Sequence, residues 1–405
     1  MRVQNRVGPP VRGDDLFGRD AFVDLVWEKL DSTHILLAAP RRFGKTSVMY
    51  RLIDEPRNGF KVVHADLEHL RHPSDLITEL TARLAKDDFL SKALKGLSYL
   101  PKAGWGALRK TVEEVEVYKF KVKLKEQVRP HWRESGEELF ERIQKSDKRL
   151  LFIFDELPMM IDAIARSEEG REDAIAMLRW FRALRISPKC ETVRFAIAGS
   201  IGIGHVLNQL GESASINHIE QLRLEPFPPK VAAELINRLA KSERITISAG
   251  CRKRMLDLIG THVPYFVQVL FSEVVKAHKI DHQKITPKRV EQIYHDKVLG
   301  IDCKTYFDHY YGRLREYYEP AEERVVKKML RQLALGDSLQ RGLCFQIYKD
   351  GLRKDASADG FSHLMANLEN DFYISFDSKA ESYSFACKIL RDWWLRHYGF
   401  EATGL

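Results

Sequence analysis

No stretch of the sequence approaches the roughly 18 consecutive apolar residues that a membrane-spanning helix requires, so no such helix is expected. Cysteine is sparse. The five residues, Cys190, Cys251, Cys303, Cys344 and Cys387, are scattered and odd in number, and no Cys-x-x-Cys occurs. That spacing offers neither a disulfide framework nor a zinc site, and a reducing, cytoplasmic setting is expected. The opening Met1-Arg2-Val3-Gln4-Asn5-Arg6 is not followed by an apolar core, so no secretory leader is expected. What remains, 44% hydrophobic and 30% charged over 405 residues, is ordinary for a chain of two or three globular domains. The formal charge is +8, yet residues 301–405 carry 15 basic and 16 acidic side chains. The positive excess therefore lies in the first 300 residues, and electrostatic attraction to nucleic acid would come from there.

Against this plain background one run stands out, Ala39-Pro40-Arg41-Arg42-Phe43-Gly44-Lys45-Thr46. It follows the apolar His34-Ile35-Leu36-Leu37-Ala38 and precedes a helical pattern, Ser47 to Ile53. Strand, tight loop and helix with Gly-Lys-Thr at the turn is the context a phosphate-binding loop requires. Backbone N–H groups and the helix N-terminus bind the anion. Lys45 then reaches the β- and γ-phosphates of a nucleotide, and the Thr46 hydroxyl ligates Mg²⁺. The first glycine of the usual pattern is missing, replaced by Ala39. Alanine tolerates positive φ poorly, so this corner should adopt a conformation open to a Cβ.

A second run, Arg149-Leu150-Leu151-Phe152-Ile153-Phe154-Asp155-Glu156, reads as a buried parallel strand ending in two carboxylates. Such a position faces the ligand crevice of an open α/β sheet. Asp155 is expected to hold the Mg²⁺ shell, and Glu156 to orient or deprotonate the attacking water.

Four core strands are expected, at 34–38, 61–66, 149–154 and 192–198, alternating with helices at 20–30, 47–53, 74–86 and 168–185. This alternation predicts a parallel sheet covered on both faces. Three arginines, Arg179, Arg182 and Arg185, fall on one of these helices. They form either a solvated basic face or a source of charge for a neighbour's phosphate. Between Lys45 and Asp155 lies an insertion at about 88–130. Its Val115 to Lys125 alternates strictly and reads as a basic β-strand. Lys119, Lys121, Lys123 and Lys125 would line one face, as a solvated edge or as a comb for phosphates. Residues 222–300 turn helical, at about 229–241, 248–260, 264–279 and 287–298. Residues 301–405 combine helices at 319–334, 340–350 and 358–369 with short strands at 372–376 and 383–385, the pattern of a winged helix. The domains expected are thus a core at 1–221, a helical lid at 222–300 and a winged helix at 301–405. The third helix of the last domain, which would enter a DNA groove, contains no Lys or Arg.

Together these motifs resemble the archaeal-type ATPase family of the AAA+/STAND superclass of P-loop ATPases. Phe17-Gly18-Arg19-Asp20, Arg194 to Ser200, Gly260 to Tyr265 and Phe385 to Trp394 fit that family's opening, sensor, lid and C-terminal motifs. The resemblance implies an α/β P-loop parallel sheet with helical lid and C-terminal winged helix, binding ATP or ADP with Mg²⁺. It implies nucleotide contacts from Ala39, Pro40, Arg41, Arg42, Phe43, Gly44, Lys45, Thr46 and Ser47. Arg19 would lie near the nucleotide, Pro264 near the base, and Ser200 would sense the γ-phosphate. Lys45, Glu156 and Ser200 are the catalytic candidates; Thr46 and Asp155 are the metal ligands. The function implied is a slow ATP-driven switch in signalling or in defence against phage and mobile elements, working through a protein partner or homo-oligomer. The alternatives are a DNA-remodelling or DNA-loading ATPase using the basic insertion, and a nucleotide-locked scaffold.

Overall fold

The computed structural model describes residues 3–87, 90–100, 114–146, 148–167, 170–199 and 202–400. They form two compact units. The sheet unit comprises Arg19–Ala38 and Lys45–Leu224; the helical unit comprises the chain through Gly18, Ala39–Gly44 and the chain from Glu225. Among the described residues no helix is long and apolar enough to cross a membrane.

The sheet unit is built on β1 (His34–Ala38), β2 (Lys61–Asp66), β3 (Leu150–Asp155), β4 (Val193–Ala198) and β5 (Ile219–Arg223), in the order β2-β3-β4-β1-β5. Every pairing is parallel. β3 and β4 are buried along nearly their whole length, as strands covered on both faces must be. Phe152 and Phe195 stack across that pair at 5.7 Å, with Phe154 and Phe181 packed on Phe195 at 5.5 and 5.0 Å. The four expected strands are present. The fifth, β5, escapes a hydrophobic reading because Leu222 is its only fully buried residue.

The expected basic strand at 115–125 is instead a helix, Glu114–Val128. Alternation alone suggested a strand, but among the described side chains of this helix Phe120, Leu124 and Val128, spaced by four, are the buried ones, as a helical stripe requires. Tyr118 and Val122, which a strand would have placed beside Phe120, are 70% and 40% exposed. The four lysines are accordingly split. Lys121 and Lys125, one turn apart, pair at 2.5 Å with Glu79 and Asp75 on the helix Pro73–Ala85. Lys119 and Lys123 are exposed. No single-faced comb exists.

In the helical unit, helices Pro229–Glu243, Ala249–Ile259, Pro264–Lys279 and Pro287–Ile293 occur where the periodicity placed them. The C-terminal part contains Pro320–Gly336, Arg341–Leu352, Ala358–Asn370 and Lys388–Tyr398. With them is an antiparallel sheet of β6 (Ser338–Gln340), β7 (Ile374–Asp377) and β8 (Ser382–Phe385), ordered β6-β8-β7. The first three of these helices followed by the β7–β8 hairpin are the pattern expected of a winged helix, and the helix Lys388–Tyr398 comes after it. The same core joins both stretches: Phe266 stacks on Phe307 and Phe307 on Trp393, at 5.6 and 5.7 Å. Gly260, at φ 78°, leaves no room for a Cβ, which would stand 2.7 Å from Lys388 Cβ.

Candidate nucleotide-binding site

The phosphate loop leaves the C-terminal end of β1 and enters the helix Lys45–Asp54 at Lys45. Its positive φ angles fall at Arg42 (73°) and Gly44 (96°), and Ala39 has none. The corner without glycine is therefore open to a Cβ, as the sequence requires. Arg42 is the unforeseen member, since a non-glycine residue in this region costs about 1–2 kcal/mol. Contacts within the helical unit hold it there. Its Nη1 donates to the Gly8 carbonyl at 3.1 Å, and its guanidinium lies 4.7 Å from the centre of the Tyr265 ring. Phe43 is 2% exposed, edge-on against Phe372. Ala39, Pro40, Arg41 and Gly44 are half-buried, as is Pro264, the first residue of its helix. Tyr265, beside it, is buried, and its hydroxyl donates to the Tyr306 carbonyl at 3.3 Å.

Within the sheet unit, Lys45 and Ser47 are buried at the start of their helix, and Thr46 is half-buried between them. Lys45 Nζ donates to the carbonyl of Gly199, just beyond β4. Asp155 ends β3 and accepts from the Glu156 backbone N–H at 3.1 Å. Burial raises the Asp155 carboxyl to about 6, with Glu156 and Asp66 adding to the rise and Lys45 opposing it. Glu156 caps the helix Leu157–Ala165 in a left-handed conformation, φ 58°. Arg19 is buried at the N-cap of the helix Asp20–Leu30. Ser200 lies outside the described residues.

Asp66 is a site residue that the sequence reading passed over. It ends β2 and pairs in register with Asp155, so a third carboxylate stands at this end of the sheet. Its signal was available: an acid closing an apolar strand, as in β3. Crowded carboxylates opposed by one lysine suit a divalent cation, which would relieve their repulsion. Among the described residues no three His, Cys, Asp or Glu side chains converge as a metal cage. A Mg²⁺ site built from one or two protein oxygens and substrate phosphates needs none.

Of the three arginines on the helix Gly170–Ile186, Arg179 pairs with Glu212 at 2.6 Å and Arg182 Nη2 lies 3.4 Å from His218 Nε2. Arg185 is buried, so it is not part of a solvated face. All five cysteines are buried and free.

No family model and no curated protein matches the sequence. Among solved structures, the chain is similar to the Walker-type ATPase PABY2304 of Pyrococcus abyssi. The identity is 18% and the TM-score 0.60, over 96% of this chain and 99% of that one. It is also similar, at 10% identity and TM-score 0.49, to the Aeropyrum pernix ORC2 protein, over 94% of this chain and 92% of that one. The strand order, the loop between β1 and its helix, and the first of these likenesses together give the chain the α/β fold of an AAA+ P-loop NTPase.

Proposed function

We propose that the chain is a Mg²⁺-dependent ATPase that works as a nucleotide switch. The observation that carries the reading is the placement of Lys45, at the start of the helix after β1, and of Asp155 and Glu156, at the end of β3, on the same end of one parallel sheet. Lys45 exchanges its Gly199 carbonyl for phosphate oxygens, and the N–H groups at the start of its helix complete the cradle. Thr46 and Asp155 would hold the Mg²⁺, which would neutralise charge on the transferring phosphoryl group. Glu156 takes the proton of the attacking water. Ser200 would sense the γ-phosphate, Arg19 would lie near the nucleotide, and Pro264 would lie near the base.

A change in the loop on hydrolysis reaches the helical unit along the chain, because Arg42 and Phe43 are packed within that unit. The proposed output is a protein partner or homo-oligomer in signalling or in defence against mobile elements. Support comes from the helix Ala358–Asn370, which carries no Lys or Arg, whereas phosphate contacts need cations. A second reading, DNA loading or remodelling, draws on the positive excess of the first 300 residues and on exposed Lys119 and Lys123.

Titration of a fluorescent ATP analogue with Mg²⁺ tests the first step. Tight binding that Lys45→Ala weakens at least about a hundredfold, roughly 2.7 kcal/mol, supports it. Equal binding by the variant removes Lys45 from the site.

A further inference from the structure

The opposite end of the parallel sheet holds a cavity of about 590 Å³. It opens where β1 and β4 begin, and its lining includes His34, Arg185, Glu191, Arg194 and His218. The volume falls within the range of ligand pockets.

Its charge is unbalanced. Arg185 is 7% exposed, and among the described residues it makes no ion pair. Its Nε donates to the Phe181 carbonyl at 3.1 Å and its Nη2 to the Ser215 carbonyl, while Nη1 has no partner. Arg194 donates to the carbonyls of Glu191, Val193 and Asp31 at 2.9, 3.0 and 3.3 Å, and its Nε has no partner. Arg182, outside the lining, reaches its edge through Nη2, 3.4 Å from His218 Nε2. Burial lowers the Arg185 pKa to about 10, with Arg182 adding to the fall. Burial and Arg149 lower that of Arg194, with Asp31 opposing them. The one acid in the lining, Glu191, is exposed, and Asp31 is paired with Arg149.

The cluster is held in place. His34 Nδ1 accepts from the Phe195 N–H at 3.2 Å, which puts the ring proton on Nε2, donating to the Arg185 carbonyl at 3.1 Å. A buried charge without a counter-ion, as at Arg185, is rare because desolvation penalises it, and half-buried Arg194 stands beside it in the lining. Each guanidinium keeps one nitrogen uncommitted, Arg185 Nη1 and Arg194 Nε, and a phosphoryl oxygen is the acceptor such a charged donor lacks.

We propose that this cavity is a second anion site, in which Arg185 and Arg194 bind a phosphoryl group at the end of the sheet away from the phosphate loop. The group arrives either as free phosphate or on a polynucleotide backbone; the recognising chemistry is the same.

The test uses the full chain carrying Lys45→Ala, so that the loop does not contribute. Inorganic phosphate should raise its thermal unfolding midpoint. Adding Arg194→Gln should abolish that rise or move its half-saturation at least about tenfold, with circular dichroism unchanged. Arg185→Lys keeps the buried charge but loses the Nη1 donor, and should weaken the response in the same direction. Short duplex DNA separates the sources. Salt-sensitive DNA binding lost with Arg194→Gln identifies a polynucleotide backbone; a phosphate response without DNA binding identifies free phosphate. No response to either ligand, or a response that both substitutions leave unchanged, overturns the proposal.

Discussion

Phe43, in the phosphate loop, lies edge-on against Phe372, with ring centroids 4.8 Å apart at 82°. One side of the contact belongs to the segment that would wrap a phosphate. The other follows the helix Ala358–Asn370 at a residue whose φ is 65°. Truncating a buried phenylalanine costs about 3–5 kcal/mol. Phe43→Ala should lose about that amount in denaturant unfolding. A wild-type midpoint would mean the ring is not packed in solution.

The lysines of the helix Glu114–Val128 should not behave alike. Burial pushes Glu79 up, but the hydrogen bond from Lys121 and the charges of Arg83 and Lys121 outweigh it and hold the carboxyl below its usual value. That contribution to stability is present above the ordinary glutamate pKa and is lost as pH falls through the lowered one. Lys121→Glu with Lys125→Glu should therefore cost on the order of 1–3 kcal/mol at neutral pH. Lys123→Glu, on the exposed side, should cost less than about 0.5 kcal/mol. Equal losses would contradict the helix pairing.

Asp155→Asn should separate stability from activity. The carboxyl is raised to about 6, so its ionised form is disfavoured in the fold and stability falls as pH rises toward 6. Removing the charge should stabilise the metal-free, nucleotide-free chain at neutral pH by about 1–2 kcal/mol, allowing for solvent screening, while hydrolysis is lost. Destabilisation at neutral pH would mean that the carboxylate is a structural ligand.

His34 supplies an acid-labile contact. Burial lowers its pKa to about 4 from 6.5, so the stability it contributes is complete above 6.5 and is lost as pH falls toward 4. His34→Gln should flatten the decline between those values by about 3 kcal/mol, read from urea unfolding across the pH series. An unchanged decline would show that His34 does not titrate in this way.

The loop and the β3 carboxylates were legible because their chemistry is local: an apolar strand, a turn with Gly44, and charged residues at the end. The helical periodicity of 229–279 was equally direct. The insertion was not, because Tyr118, Phe120, Val122 and Leu124 alternate while Phe120, Leu124 and Val128 also satisfy a helix. Packing against Glu79 and Asp75 decided between them. β5 was missed because an edge strand with one buried residue has almost no apolar signature. Asp66 offered the same local signal, an acid at a strand end, and was passed over; the register of β2 with β3 sets it beside Asp155. The left-handed turn at Arg42 rests on contacts with Gly8 and Tyr265, distant in sequence.

Steady-state ATP hydrolysis, with and without duplex DNA, tests the central claim most directly. Wild type should be compared with Lys45→Ala and Glu156→Gln. A slow, Mg²⁺-dependent rate that either substitution abolishes and DNA leaves unchanged is the expected result. Stimulation by DNA would move the working partner to nucleic acid. A wild-type rate no higher than that of Glu156→Gln would contradict the account.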